Sequence, residues 1–262
     1  MLWSHKRLFG SLALIYGLLT IILVQGFSGS ENVSNLKQSF DQFFSGHFSA
    51  ISSGVSVFVV LLGSVGSTSS NGSYQLFVDL IISLAIIWAL RQTKGGSTAR
   101  IKDSFYKGMY PLVPFILVLV IIAVQLLPLL IGTVLYTTAM SGVAVHAWEK
   151  LLWAVIYIAL GLWSGYMISS SIFGLYIVTL PDMRPIQSLR SAREIVRGRR
   201  WSVIRKLLFL PLLLFVVSLV IMLPIILLLT PLARWSFFLL SCLALVAIHG
   251  YLYNLYWEMI HD

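Results

Sequence analysis

Residues 197–230, RGRRWSVIRKLLFLPLLLFVVSLVIMLPIILLLT, contain the pattern that decides the fold of this chain. Five basic residues lie in the first ten positions, and the 24 positions that follow carry no charge. An α-helix needs about 20 apolar residues to cross a hydrocarbon core of about 30 Å. Residues 207–230 are therefore predicted to span a membrane, with the basic end of the helix in the cytoplasm.

The composition of the whole chain indicates the same class of protein. Of its 262 residues, 58% are hydrophobic and only 10% are charged. Soluble domains carry about 25% charged residues, so this chain lacks the polar surface of a soluble protein. The net charge of +9 would suggest nucleic-acid binding in a soluble protein. Here the charges are spaced as in cytoplasmic membrane loops, and we expect no nucleic-acid partner.

Six segments are long and apolar enough to form spans of this kind. At 1.5 Å per residue each can cross the hydrocarbon core, the longer ones with tilt. The predicted fold class is all-α: a polytopic transmembrane helical bundle that forms a single integral membrane domain over residues 1–262. The predicted spans are residues 8–26, 74–90, 110–134, 151–179, 207–230 and 234–256.

The basic residues define the predicted orientation. Fifteen of the eighteen Lys and Arg residues lie in three clusters, at residues 6–7, 91–107 and 184–206. The apolar stretch 54–66 decides whether these clusters share one side, because as a helix it extends only about 20 Å. If it does not cross, all three clusters face the cytoplasm, as the positive-inside rule requires. We therefore interpret 54–66 as a re-entrant or interfacial helix, which leaves about six spans and both termini in the cytoplasm.

The segment before the fifth span is the strongest local feature. Residues 186–201, IQSLRSAREIVRGRRW, are predicted to form a cytoplasmic amphipathic helix that Trp201 anchors at its end. The basic face of this helix carries Arg190, Arg193, Arg197 and Arg200. Two interpretations stay open. The arginines bind anionic lipid headgroups or an acidic partner, or they only set the orientation of the chain and touch bulk lipid.

Asp79 is the only carboxylate within a predicted span, where an acidic side chain is energetically expensive and marks a functional candidate. Counted from the span ends, Gln125 lies at about the same depth, whereas His249 lies about 15 Å deeper. We expect Asp79 and Gln125 to face each other or to share a small water-filled cavity. The alternative is that Asp79 tilts into the membrane interface and has no partner.

The fourth span carries small residues at a four-residue spacing: Gly161, Gly165 and Ser169. Small residues at such a spacing let a second helix approach closely. This pattern predicts a packing groove, although glycine is also common in membrane helices that form none.

The chain shows none of the residue patterns of common enzymes. A glycine-rich phosphate loop, a Ser-His-Asp arrangement and a metal-ligand spacing of Cys and His are all absent from the sequence. Its nine acidic residues lie mostly in loops, which argues against a metal centre in the helical bundle. We predict no catalytic residue, no metal, no cofactor and no enzymatic activity.

Two stretches resemble a known group of bacterial membrane proteins. The first combines IWALRQ at residues 87–92 with SFYKGMYP at residues 104–111, and the second is SLRSAREIVRGRRW at residues 188–201. Both resemble the membrane domain attached to some glycerophosphoryl diester phosphodiesterases, and related six-span proteins. The resemblance implies a bacterial plasma membrane. It implies no hydrolysis, because the phosphodiesterase domain itself is missing from the chain.

Two functions are compatible with these patterns. The first is a non-catalytic membrane component that organises lipids, assembles with another protein or forms a homo-oligomer. The second is a small transporter or lipid-handling permease, which needs polar groups or broken helices near the midplane of the membrane. The residues that would serve the second function are Asp79, Gln125, Pro128, Pro224 and His249.

Overall fold

A computed structural model describes residues 6–25, 58, 72–97, 100–143, 146–181, 183–229 and 232–261. In these ranges the regular structure is helical throughout, which confirms the all-α prediction. The helices are α1 (Lys6–Thr20), α2 (Gly72–Lys94), α3 (Ile101–Gly108), α4 (Leu112–Thr138), α5 (Ala147–Ile177), α6 (Pro185–Val196), α7 (Arg200–Leu228) and α8 (Ala233–His261). Single π-helical turns, Ile21–Gln25 and Ala139–Val143, extend α1 and α4.

Five helical segments of the described chain are long and apolar enough to cross a membrane, so this is an integral membrane protein. They are Tyr74–Lys94, Leu112–Ser141, Ala147–Ile177, Arg200–Leu228 and Ala233–Ile260. They correspond to the last five predicted spans. The first predicted span, 8–26, coincides with a shorter apolar helix, Arg7–Leu23. The predicted interfacial helix at 54–66 lies outside the described residues except for Phe58, so the count of six spans stays a prediction.

The chain divides into two compact units. The first contains α1 to α3 together with Leu210–Tyr251, and the second contains Tyr110–Phe209 and the C-terminal end of α8. Helices α7 and α8 therefore contribute residues to both units. The assignment of residues 1–262 to one domain stays a prediction.

In the first unit, α3 packs closely against α2. The buried face of α3 carries only Ser104 and Gly108, one helical turn apart. A Cβ atom added at Gly108 would lie 3.1 Å from the carbonyl oxygen of Leu84 and 3.3 Å from the Cα atom of Ala85. The two helix backbones can approach this closely because Gly108 has no side chain.

The second unit contains a comparable short helix, α6, which packs against α5. Ser188 and Ala192 are fully buried on α6, again four residues apart. The position where Gly174 of α5 would carry a Cβ atom lies 3.0 Å from Leu189 Cδ2. Both short helices thus bury small residues against the span that precedes them.

The predicted amphipathic helix over 186–201 is not continuous. Helix α6 ends at Val196, where Arg197 takes an extended conformation with ψ of 125°. Gly198 has a positive φ of 89°, a conformation that glycine adopts without the steric cost other residues carry. This turn ends one helix and allows α7 to begin at Arg200. Arg200 and Trp201 therefore belong to a different helix from Arg190.

Candidate anion-binding site

The turn between α6 and α7 lies beside a cavity of about 600 Å³ in the second unit. Three parts of the chain contribute to its wall: α5, α6 and the segment from the end of α6 to the start of α7. The lining residues are Tyr166, Arg190, Arg193, Glu194, Arg197, Gly198 and Arg200. All of these side chains come from the second unit, and four of the seven residues are arginines.

Helical geometry explains why these arginines meet. Arg190, Arg193 and Arg197 recur at intervals of about one helical turn, so they project from one side of α6 and its end. The opposite side of α6 is held in place by its buried residues, among them Ala192 and Val196. The turn at Gly198 then changes the direction of the chain, which brings Arg200 to the same cavity.

Arg200 is fixed by a contact with an aromatic ring. Its guanidinium carbon lies 4.4 Å from the centre of the Tyr166 ring. A cation over a ring face is attracted to it by about 0.5–1 kcal/mol at an exposed site. Because the ring supports the guanidinium from one face, the N–H groups at the edge of Arg200 stay available for a ligand.

The cavity has a strong excess of positive charge. Four guanidinium groups and the single carboxylate of Glu194 give it a formal charge of +3. The ion pair between Lys206 and Glu258, at 2.6 Å, involves neither the cavity arginines nor Glu194. Like charges that line one cavity repel one another, and a bound anion would relieve the repulsion. The arrangement is suited to a phosphate or another compact anion, which arginine binds through two parallel hydrogen bonds.

All four arginines of the predicted anionic-lipid surface line this cavity. Their spacing predicted a single helix, whereas the structure distributes them over α6, a turn and α7. Tyr166 and Gly198 were missed. The glycine within RGRR is a signal for a helix end that could have been used. No sequence signal distinguishes Tyr166 from other aromatic residues near span ends.

Asp79, the second predicted site residue, is hydrogen-bonded within the first unit. The hydroxyl of Tyr16 on α1 donates to Asp79 Oδ1 at 2.8 Å. One turn along α2, Ser83 Oγ lies 3.0 Å from His249 Nε2 on α8. His249 is therefore level with Ser83, about 6 Å along α2 from Asp79. The expected separation of 15 Å was too large, because it assumed that α2 and α8 begin at the same height.

Gln125, the predicted partner of Asp79, belongs to the second unit. Its backbone carbonyl accepts a hydrogen bond of 2.8 Å from Ser164 Oγ on α5. This bond reaches α4 one residue beyond Val124, whose carbonyl loses its usual helical donor because Pro128 has no N–H. Gln125 Oε1 is buried and has no hydrogen-bond partner among the described residues. The pairing of Asp79 with Gln125 stays a prediction.

The predicted packing groove is only partly supported. A Cβ atom at Gly161 would lie 3.5 Å from Leu129 Cδ1, but one at Gly165 would have no atom of the described residues within 4 Å. Ser169 is buried and donates to the carbonyl of Tyr166 in its own helix. The face of α5 that contacts α4 contains Gly161 and Ser164 instead. Steps of four residues drift by about 40° around a helix of 3.6 residues per turn, and this drift carries Gly165 and Ser169 progressively away from the direction in which Gly161 meets α4.

Comparison with known proteins identifies no relative: no family model, curated protein or solved structure matches this chain. The described residues also contain no group of three or more His, Cys, Asp or Glu side chains that could hold a metal ion.

Proposed function

We propose that this protein is a non-catalytic membrane component that binds anionic phospholipid headgroups through the arginine-lined cavity. The observation that carries the proposal is the convergence of four arginines, from α6, the Gly198 turn and α7, on one cavity. A segment that served only to orient the chain would need positive charge but no such convergence.

The position of the cavity along the helices favours a lipid over a soluble anion. Arg200 is the first residue of α7, an apolar helix that can cross the membrane. Next to it, the Trp201 side chain is 78% exposed, and Ile186 at the start of α6 is 74% exposed. Exposed tryptophan and isoleucine beside arginine are typical of segments at the headgroup level, where apolar groups enter the acyl region.

The size of the cavity also fits this ligand class. Small-molecule sites have volumes of about 300–1,000 Å³, and this cavity, which is open to solvent, has a volume of about 600 Å³. A phosphodiester headgroup fits such a volume and presents oxygens that two guanidinium groups can bind at once. The acyl chains would stay in the bilayer beside the apolar helices.

The charge distribution supports a particular membrane and orientation for the protein. We propose that the chain resides in a bacterial plasma membrane with both termini in the cytoplasm, because fifteen of its eighteen basic residues then face that side. In this orientation the cavity faces the cytoplasmic leaflet, whose surface is rich in anionic lipid. A protein partner or a second copy of the chain stays open as a further ligand.

The test compares two double variants that remove equal charge. Arg193→Gln with Arg197→Gln removes two arginines of the cavity wall, and Arg184→Gln with Arg199→Gln removes two from the same part of the chain outside it. The purified full-length chain is titrated with phosphatidylglycerol or phosphatidylcholine, and its thermal stabilisation is recorded.

Every arginine near the surface shares the general attraction to anionic lipid, but each cavity arginine adds a hydrogen bond to the phosphate that contributes at least about 1 kcal/mol. That corresponds to roughly 5-fold per residue and roughly 30-fold for the cavity double variant. The other double variant should lose far less affinity for phosphatidylglycerol, and neither should change the response to phosphatidylcholine. Equal losses of affinity in the two double variants would mean that the arginines act only through net charge. That result would refute a specific binding site in the cavity.

A further inference from the structure

A second set of polar side chains meets inside the first unit, apart from the arginine-lined cavity. Helices α1, α2 and α8 supply it. Tyr16 donates to Asp79 at 2.8 Å, and Ser83 pairs with His249 at 3.0 Å. Thr20 Oγ1 donates to the backbone carbonyl of Tyr16 at 2.9 Å. Asp79 and Ser83 are four residues apart, so both pairs lie along one face of α2.

The surroundings of Asp79 make the ionised form of its side chain energetically unfavourable. Tyr16, its hydrogen-bond donor, is 8% exposed, and the helix that carries Asp79 is one of the apolar spans. A charged carboxylate inside a membrane is expensive, and one tyrosine hydroxyl satisfies only a part of its hydrogen-bonding capacity. Uptake of one proton removes the charge, and the carboxylic acid still accepts the hydrogen bond from Tyr16.

Few other titratable groups act on this carboxylate. Tyr16 comes from α1, and Cys242 of α8 lies beside the same part of α1. Cys242 Sγ lies 3.4 Å from where Gly17, the neighbour of Tyr16, would carry a Cβ atom. Helix α3, which also packs against α2, carries Lys102, Asp103 and Lys107, but it meets α2 at Leu84 and Ala85, beyond Ser83.

We propose that Asp79 and Tyr16 form a proton-binding site inside the membrane, and that Ser83 and His249 extend it by one helical turn. In the binding step, the carboxylate of Asp79 takes one proton from water and becomes a neutral acid, while Tyr16 keeps its own proton. Release returns the proton to water and restores the charge. The strength of the Tyr16–Asp79 hydrogen bond between α1 and α2 then depends on protonation, because a carboxylate accepts a stronger hydrogen bond than a neutral acid does, and a proton-linked permease needs such a dependence.

The test is a pH-difference infrared spectrum of the full-length chain in lipid. On acidification, the parent should gain a C=O stretching band of one carboxylic acid in an apolar, hydrogen-bonded setting. Asp79→Asn should lose this band. Asp103→Asn, which changes a carboxylate of α3 outside the site, should keep it. Tyr16→Phe preserves the ring and should keep the band at a shifted frequency, because the donor to the acid is gone.

Each result decides the proposal. Loss of the band in Asp79→Asn alone, with a shift in Tyr16→Phe, supports a proton-binding site at this pair. A band that persists in Asp79→Asn would overturn the proposal, and so would a band that responds to sodium ions but not to pH. Melting curves in detergent verify that each variant is folded. Because the test does not involve the arginine-lined cavity, its outcome is independent of lipid binding.

Discussion

The substitution Gly108→Ala tests the packing of α3 on α2 with a single methyl group. The added Cβ atom would lie 3.1 Å from the carbonyl oxygen of Leu84 and 3.3 Å from Ala85 Cα. Both neighbours are backbone atoms of a long helix and cannot rotate away as a flexible side chain can. Helix α3 must therefore move outward, and Ser104, which is fully buried on the same face, loses part of its contacts.

The expected cost follows from two opposing effects. Overpacking of a close contact typically costs about 1–3 kcal/mol. Replacing glycine by alanine inside a helix stabilises the helix by up to about 1 kcal/mol. The gain is smaller at Gly108, because it is the last residue of α3. We expect a net loss of about 1–2 kcal/mol, or a melting temperature lower by roughly 2–8 °C.

The chain contains its own reporter for this measurement. Cys242 is its only cysteine and is 5% exposed, in the same unit as Gly108. A maleimide dye that fluoresces on reaction with a thiol will label it only when the unit opens. Heating the protein in detergent with this dye gives the melting temperature of the first unit directly.

Gly10→Ala provides the matched control. Gly10 lies within α1 of the same unit, and a Cβ atom added there would meet nothing within 4 Å in the part of the chain that the structure describes. This variant should melt at the parent temperature or slightly above it, since alanine favours the helix. A Gly108→Ala protein that melts at or above both the parent and Gly10→Ala would refute the close packing of α3 on α2.

Three further predictions address the other contacts and the topology. Gly132→Leu should destabilise the second unit by at least about 1 kcal/mol, because a Cβ atom there already lies 3.3 Å from Leu160 Cδ1. Gly165→Leu should leave the melting temperature in detergent nearly unchanged, since its position is open; equal melts for the two variants would contradict this packing. Ser164→Ala should lower the free energy of unfolding by about 0.6 kcal/mol, the average for a hydrogen bond between membrane helices. Ser164→Cys should restore less than half of this stability. A cysteine at Ser69 in a Cys242→Ser background should react with an impermeant maleimide on intact cells, and its protection would mean that residues 54–66 cross the membrane.

The spanning helices could be predicted from the sequence, because the length of an apolar segment is enough to identify a span. A run such as residues 207–230 has no alternative to a helix in a bilayer, where every backbone N–H and C=O group must be paired within its own segment. The same argument holds for the last five predicted spans, each of which coincides with an apolar helix of the structure. Their ends were less accurate, because helix ends depend on local turns such as the one at Gly198.

The candidate sites depended on the tertiary structure to different degrees. Arg190, Arg193, Arg197 and Arg200 could be found from charge and spacing, since a basic segment beside a span is visible in the sequence. Their convergence with Tyr166 on one cavity could not, because it requires α6 to fold back onto α5. The partner of Asp79 was hidden for the same reason: Tyr16 is 63 residues away and stands in an apolar run.

Hydrophobic length was enough to identify this chain as a membrane protein and to locate its long apolar helices, whereas the cytoplasmic side of its basic residues stays a prediction. These properties follow from the hydrophobicity and charge of each segment, taken one at a time. Only the tertiary structure decided that α6 ends at Val196, that Gly108 and not Gly165 marks a close approach, and that Tyr16 holds Asp79. These features depend on which helix packs against each residue. The hydrophobicity of a single segment does not reveal that neighbour, because one apolar helix can pack against many others.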